Sequence, residues 1–319
     1  MSPITRDCFS SHALSSHLAI NGWRPLFIAA LLSALASLAW AEPEGQPWER
    51  LPPTPVVGSS ATYRYLQVNG EKLAYMTFGF GSPVIVLHGG AANLNYLGKQ
   101  IDALKFHHQV IALDTRGHGR SSWNGAPLVY EQMADDVAAL MSALGIDRAD
   151  FLGWREGAVT ALDLAMRYPD KVRRVVAFGA NVMPDGVFND FASKTVFADF
   201  MKRAAEEYRQ LSPAPARFDK LNKALATLQR TQPNWNTEQL QRIKAPVLVI
   251  DGDHDEVIRP EHTEYIAHSL PKGTLLFIEN ASHFAFLQKP KTFNKAMLEF
   301  LESDNGENVT RAGAIEPGT

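Results

Sequence analysis

Between residues 62 and 303, short apolar runs alternate with stretches of helical periodicity. This alternation restricts the fold more than any other feature of the chain. Runs 83–87 and 246–250 are continuously apolar, as strands covered on both faces are. Run 110–113 reads the same way, and 150–153, 172–178 and 274–278 read as further strands. Residues 130–144 carry a helical period and stop at Gly145, a suitable C-cap; 157–168 forms a second helix, stopped by Pro169. Two earlier strands, 62–68 and 72–78, flank Asn69-Gly70, a strong hairpin signal. Such alternation with right-handed crossovers predicts an α/β fold: a mostly parallel sheet flanked by helices. Residues 183–242 break the rhythm. They contain helical segments at 197–211 and 218–228 and no strand, and are expected to form a helical cap inserted after the sixth strand. Phe188, Phe191, Phe197, Phe200 and Trp235 give that cap an apolar side, for packing on the core or for lining a pocket.

Ahead of this region, Arg24 precedes the run Pro25-Leu26-Phe27-Ile28-Ala29-Ala30-Leu31-Leu32, and apolar or small residues continue to Trp40. Ala39-Trp40-Ala41 then places small residues at the two positions that a cleavage site needs. Residues 1–41 are therefore expected to be a secretory signal cleaved near Ala41. The protein would then be exported, periplasmic or secreted, with no stable membrane span after cleavage. The alternative is an uncleaved anchor, since the apolar stretch lies at the bottom of the spanning range. Residues 42–60, rich in Pro, Gly and Ser, read as a linker, 61–304 as the folded domain and 305–319 as a polar tail. Cys8, the only cysteine, lies in the signal, so the remaining chain has neither disulfide nor thiol chemistry. A formal net charge of −3 leaves no electrostatic footprint for nucleic acid. There is no Gly-rich phosphate loop, dinucleotide fingerprint or metal-spaced His/Cys cluster, and no cofactor or metal is implied.

Chemistry-bearing residues gather just after the strands. Leu87-His88-Gly89-Gly90-Ala91 follows run 83–87, and Asp114-Thr115-Arg116-Gly117-His118-Gly119-Arg120-Ser121 follows 110–113. Gly153-Trp154-Arg155-Glu156-Gly157 joins strand 150–153 to the next helix. Asp251-Gly252-Asp253-His254-Asp255 and Asn280-Ala281-Ser282-His283-Phe284 follow the last two strands. Together these five segments resemble the α/β-hydrolase family, of the capped esterase and lactonase-like type, over essentially residues 62–303. The resemblance implies that Gly90 supplies one oxyanion-hole N–H and residue 156 the other. It implies that Asp255 is the acid of a catalytic triad, with Asp253 as the fallback, and that His283 is its base. The second segment is expected to be a hydrogen-bonded structural turn, so His118 is not a catalytic candidate. Asn280 stands where the family's pattern has Gly.

Arg155 stands where that resemblance puts the nucleophile, in the pattern G-x-S-x-G. A guanidinium stays protonated and cannot attack a carbonyl. The side chain of Glu156, one residue past the turn, is expected to point away from the site. An arginine at a helix N-terminus meets the wrong end of the helix dipole unless an anion compensates. Asp255 or Glu156 could do so internally, or a bound carboxylate or phosphate externally. Three readings stay open. The chain is a hydrolase of carboxylic ester, lactone or thioester bonds by ancestry, with His283 and Asp255 able at most to activate water. It is a non-catalytic ligand-binding pseudoenzyme with an anion site at Arg155. Or the arginine is a recent loss, a variant or a sequence error. The partner in the first two is a small-molecule ester or carboxylate.

Overall fold

The computed structural model describes residues 45–58 and 62–303. The expected signal, its cleavage site, Cys8 and the polar tail lie outside the described residues. Eight strands form one sheet: β1 (Arg64–Val68), β2 (Glu71–Phe78), β3 (Ser82–Leu87), β4 (His108–Asp114), β5 (Ala149–Trp154), β6 (Val172–Phe178), β7 (Val247–Gly252) and β8 (Gly273–Ile278). Their order is β1-β2-β4-β3-β5-β6-β7-β8. β1 and β2 pair antiparallel, as do β2 and β4; every other neighbouring pair is parallel. The mostly parallel sheet expected from the apolar runs is present. Asn69 and Gly70 both take positive φ, 45° and 82°, the conformation that a two-residue hairpin turn requires.

The helices are α1 (Gly98–Leu104), α2 (Tyr130–Ala143), α3 (Glu156–Arg167), α4 (Thr195–Leu211), α5 (Phe218–Thr231), α6 (Thr237–Leu240), α7 (Pro260–Ser269), α8 (Ala285–Gln288) and α9 (Pro290–Glu302). No helix among the described residues is long and apolar enough to cross a membrane. Strand periodicity assigns each buried side chain to one of two cores. Val84 and Val86 join one, with Val110 and Ala112; Ile85 and Leu87 join the other, with Ile111 and Leu113. The second core is closed by α2 and α3 through Val137, Leu140, Ala161 and Leu162. The first extends into the insertion between β6 and β7, where α4 and α5 lay Phe197, Phe200, Leu221 and Leu225 over the strand ends. Phe200 sits edge-on to Tyr96 and Trp154, with ring centroids 5.5 and 5.6 Å apart.

Within the stretch read as a linker, residues 46–58 lie against the domain. Arg203 of α4 donates to the carbonyls of Leu51 and Pro52, at 3.1 and 2.5 Å. Thr54 donates to Glu207 at 2.5 Å. Gln288 donates to the carbonyls of Trp48 and Arg50, and Trp48 stacks on His254 with centroids 3.7 Å apart. Pro-rich backbone cannot pair with itself in a ladder, so these distant side chains satisfy its carbonyls.

Candidate active site

Parallel strands deliver their C-terminal ends to one edge of the sheet, and the loops there come together. After β4, Asp114 is fully buried and accepts from the backbone N–H groups of Leu94 and Arg120, at 2.8 and 2.9 Å. Arg116 donates twice to Asp136, at 2.5 and 2.7 Å. His88 Nδ1 donates to the Gly89 carbonyl while Nε2 accepts from the Thr115 N–H. Burial pushes His88 down to about 4 and His118 to about 3, so both stay neutral. These groups knit the two turns together, the structural role expected for the second segment.

Asp255 and His283 meet after β7 and β8. His283 Nδ1 donates to Asp255 Oδ2 at 2.7 Å, and Asp255 Oδ1 accepts from the Val257 and Ile258 N–H groups at 2.6 and 2.7 Å. Burial pushes the Asp255 carboxyl up, but the adjacent His283 and these donors outweigh it and hold it at about 2. Asp251 goes the other way: burial, then the Asp255 charge, pushes it well above the carboxylate range. The hydrogen bond between the two carboxyl groups favours the proton on Asp251 over Asp255. Asp251, Asp255 and His283 bring one ligand atom each within 4.8 Å of one another. These atoms are already engaged with each other and, at Asp251 Oδ2, with Thr263 Oγ1 at 2.7 Å, so the group is a hydrogen-bonded relay. Asp253 is not part of it; its carboxylate accepts from the Ala281 N–H at 3.2 Å. Asn280, where a Gly was expected, has φ +54°, a left-handed conformation that Asn tolerates better than other side chains. His283 is fully buried and its Nε2 has no hydrogen-bond partner among the described residues.

Arg155 forms the turn between β5 and α3 at φ 47° and ψ −114°, a conformation costly for any residue with a side chain. Its N–H donates to the Phe178 carbonyl at 2.9 Å, which fixes the turn on β6. The tightness shows at Gly153, where a Cβ would meet the Ala158 backbone at 2.5 Å.

Glu156 does not point away. Its carboxylate turns back under the turn and accepts from the Gly90 N–H at 2.5 Å. It also accepts from Gln229 Nε2 of α5 at 2.7 Å, from Arg155 Nε at 3.2 Å and from its own backbone N–H. Burial pushes this carboxyl up; the Arg155 charge, then Gln229 and the two N–H groups, overcome that and hold it below the usual range. Arg155, Gln229 and the Gly90 N–H together account for the reversal. A buried guanidinium demands an anion, and the nearest one available is the next residue. Both N–H groups expected to face a substrate oxygen thus face a carboxylate from the chain itself. Gln229 was not legible as a site residue. It lies in the insertion beside the apolar stripe Leu221, Leu225 and Leu228, and nothing in that pattern separates it from an ordinary surface glutamine.

The rest of the Arg155 head is buried but unmatched. Its side chain is 4% exposed, and neither Nη atom has a hydrogen-bond partner among the described residues. Each buried donor left so costs about 1–3 kcal/mol. Its Cζ sits 5.3 Å from the Phe191 ring centroid. Beyond it lies a cavity of about 340 Å³ between the turn and the insertion, walled by Trp154, Phe197, Phe200, Met201 and Leu225.

Residues 82–201 and 190–290 match the sequence profile of the alpha/beta hydrolase fold. The chain is 30% identical over 243 residues to a pimeloyl-(acyl-carrier protein) methyl ester esterase of Neisseria meningitidis, covering 69% of this chain and 93% of that protein. It is 29% identical over 245 residues to 3-oxoadipate enol-lactonase 2 of Acinetobacter baylyi, covering 70% of this chain and 91% of that protein. Among solved structures, the enol-lactonase from Burkholderia xenovorans LB400 superposes with a TM-score of 0.61 at 27% identity, over 75% of this chain and 100% of that one.

Proposed function

The chain belongs to the alpha/beta hydrolase fold family, and we propose that it is an ester- or lactone-hydrolase scaffold turned into a ligand-binding protein, with Arg155 in the nucleophile position. The observation that carries this reading is the Glu156 carboxylate on the Gly90 N–H, held there by Arg155 and Gln229. Attack on an ester needs a nucleophile, a base to activate it, and donors waiting for the developing oxyanion. His283 and Asp255 retain the geometry of base and orienting acid. Arginine offers no nucleophile, and the donors already hold an anion. Loss of a triad nucleophile alone costs about 10⁶-fold in kcat. Occupation of the donors also disfavours water attack by the His283–Asp255 pair, since that route needs the same oxyanion stabilisation.

The test is an assay of the chain, as written, on nitrophenyl esters of short and medium acyl length and on a lactone. No turnover above the uncatalysed rate is expected. Turnover that His283→Ala abolishes would show that water or another residue attacks and would overturn the proposal.

A further inference from the structure

The cavity at Arg155 joins an unmatched cation to apolar walls. Arg155 lines the cavity, and four of its five N–H donors lie on the two buried Nη atoms. Glu156 takes the Nε side and the guanidinium carbon lies over the Phe191 ring, while the two Nη atoms have no acceptor among the described residues. The walls beyond are aromatic and aliphatic: Phe197, Phe200, Met201 and Leu225. Lys223, exposed on the outer face of α5, stands at the mouth and adds a second positive charge. Of the groups that line the cavity, none is a carboxylate.

We propose that this cavity binds an amphipathic monocarboxylate, its head on the Arg155 Nη pair and its aliphatic or aromatic body along Phe197, Phe200, Met201 and Leu225. The inference rests on the reading of the chain as a binding protein, and it names the ligand class. A guanidinium meets a planar carboxylate through two parallel N–H bonds, a match that neither an alcohol nor an ammonium can make. The apolar walls reward a chain of several carbons and give acetate nothing. Lys223 at the mouth favours approach of anions over cations. At 340 Å³ the cavity lies at the small end of sites for organic ligands, suited to a medium-length acid.

Calorimetric titration of the full chain with octanoate, acetate, octan-1-ol and octylammonium tests this. Octanoate is expected to bind saturably, at least tenfold tighter than octanol and acetate, with no binding of octylammonium. Arg155→Met is expected to weaken octanoate at least tenfold while leaving octanol unchanged; Lys223→Gln is expected to slow octanoate association with a smaller effect on affinity. Equal binding of octanol and octanoate would overturn the proposal, as would no octanoate binding at millimolar concentration. If Arg155→Met fails to fold, the order of the four ligands on the unaltered chain decides the matter. Nitrophenyl octanoate assayed on the same preparation separates the two inferences. Turnover defeats the binding-protein reading, whereas no turnover and no octanoate binding defeats only the ligand class.

Discussion

Replacing Arg155 by serine supplies a hydroxyl, but the Gly90 N–H and Gln229 still hold Glu156 in place, so the single change is expected to confer little activity. In Arg155→Ser the Glu156 carboxylate keeps its bonds to Gly90 and Gln229, at 2.5 and 2.7 Å, and loses the cation paired with it at 3.2 Å. Loss of one oxyanion donor costs about 10²–10³ in kcat. With the Gly90 N–H engaged, Arg155→Ser should stay at least that far below Arg155→Ser/Glu156→Ala in kcat/KM on nitrophenyl butyrate. Stability should follow the same logic. Removing one partner of a buried ion pair costs about 3–5 kcal/mol. The single variant should therefore melt on the order of 10 °C below the double one, as 1 kcal/mol is worth about 2–4 °C in a domain of this size. The gap should narrow in acid, where the stranded carboxyl is protonated. Steady-state kinetics and calorimetric melts of the four combinations supply the numbers. Equal kcat/KM for the single and double variants would refute the claim that Glu156 blocks the site.

Other consequences are as direct. Burial, then the Asp255 charge, pushes Glu256 up to about 8. Its proton is kept in the folded chain and lost in the unfolded one between about pH 4.5 and 8, so this group lowers stability as pH rises through that window, on the order of a few kcal/mol. Glu256→Gln should flatten that slope in melts from pH 5 to 9, and an unchanged slope would count against the assignment. In Gly90→Ala the added Cβ would lie 2.8 Å from Glu156 Cδ, so a loss of about 1–3 kcal/mol is expected in chemical denaturation, rescued by adding Glu156→Ala. Without that rescue, the clash lies elsewhere. Arg116→Ala strands the buried Asp136 and should cost about 3–5 kcal/mol. A loss under 1 kcal/mol would mean that solvent reaches Asp136.

The sheet was legible because a strand buried on both faces has few ways to be written. Pro83-Val84-Ile85-Val86-Leu87 permits little else, and it became β3. The insertion was legible by contrast, as a stretch in which strands stop. Asp255 and His283 were legible as a pair because each follows a strand in the parallel sheet, and strand ends converge. What escaped the sequence was orientation. Glu156 was expected to face away because the residue after the turn ordinarily has no reason to face in. The reasons here are the charge on its neighbour and the donors of Gly90 and Gln229, energetic demands that no periodicity encodes. α1 and Gln229 escaped for a plainer cause: seven residues, or one polar side chain at the margin of an apolar stripe, make a weak pattern. Residues 46–58 fell within a stretch read as a linker because Pro recurs there, while the groups that hold them come from Arg203, Glu207 and Gln288, far along the chain.

That anchoring changes what counts as the smallest working piece of this protein. A fragment cut to the limits of the sheet, beginning at residue 62, would keep every strand and still lose part of its roof. Arg203 would lose both acceptor carbonyls, Gln288 would keep only Ser282 for its amide nitrogen, and His254 would lose the ring that covers it. The first symptom would be faster amide exchange along α4, with the strands unaffected. In mechanical language, residues 46–58 act as a guy-line on the canopy over the cavity, and slack in that line should show as a leaky chamber before it shows as an unfolded protein.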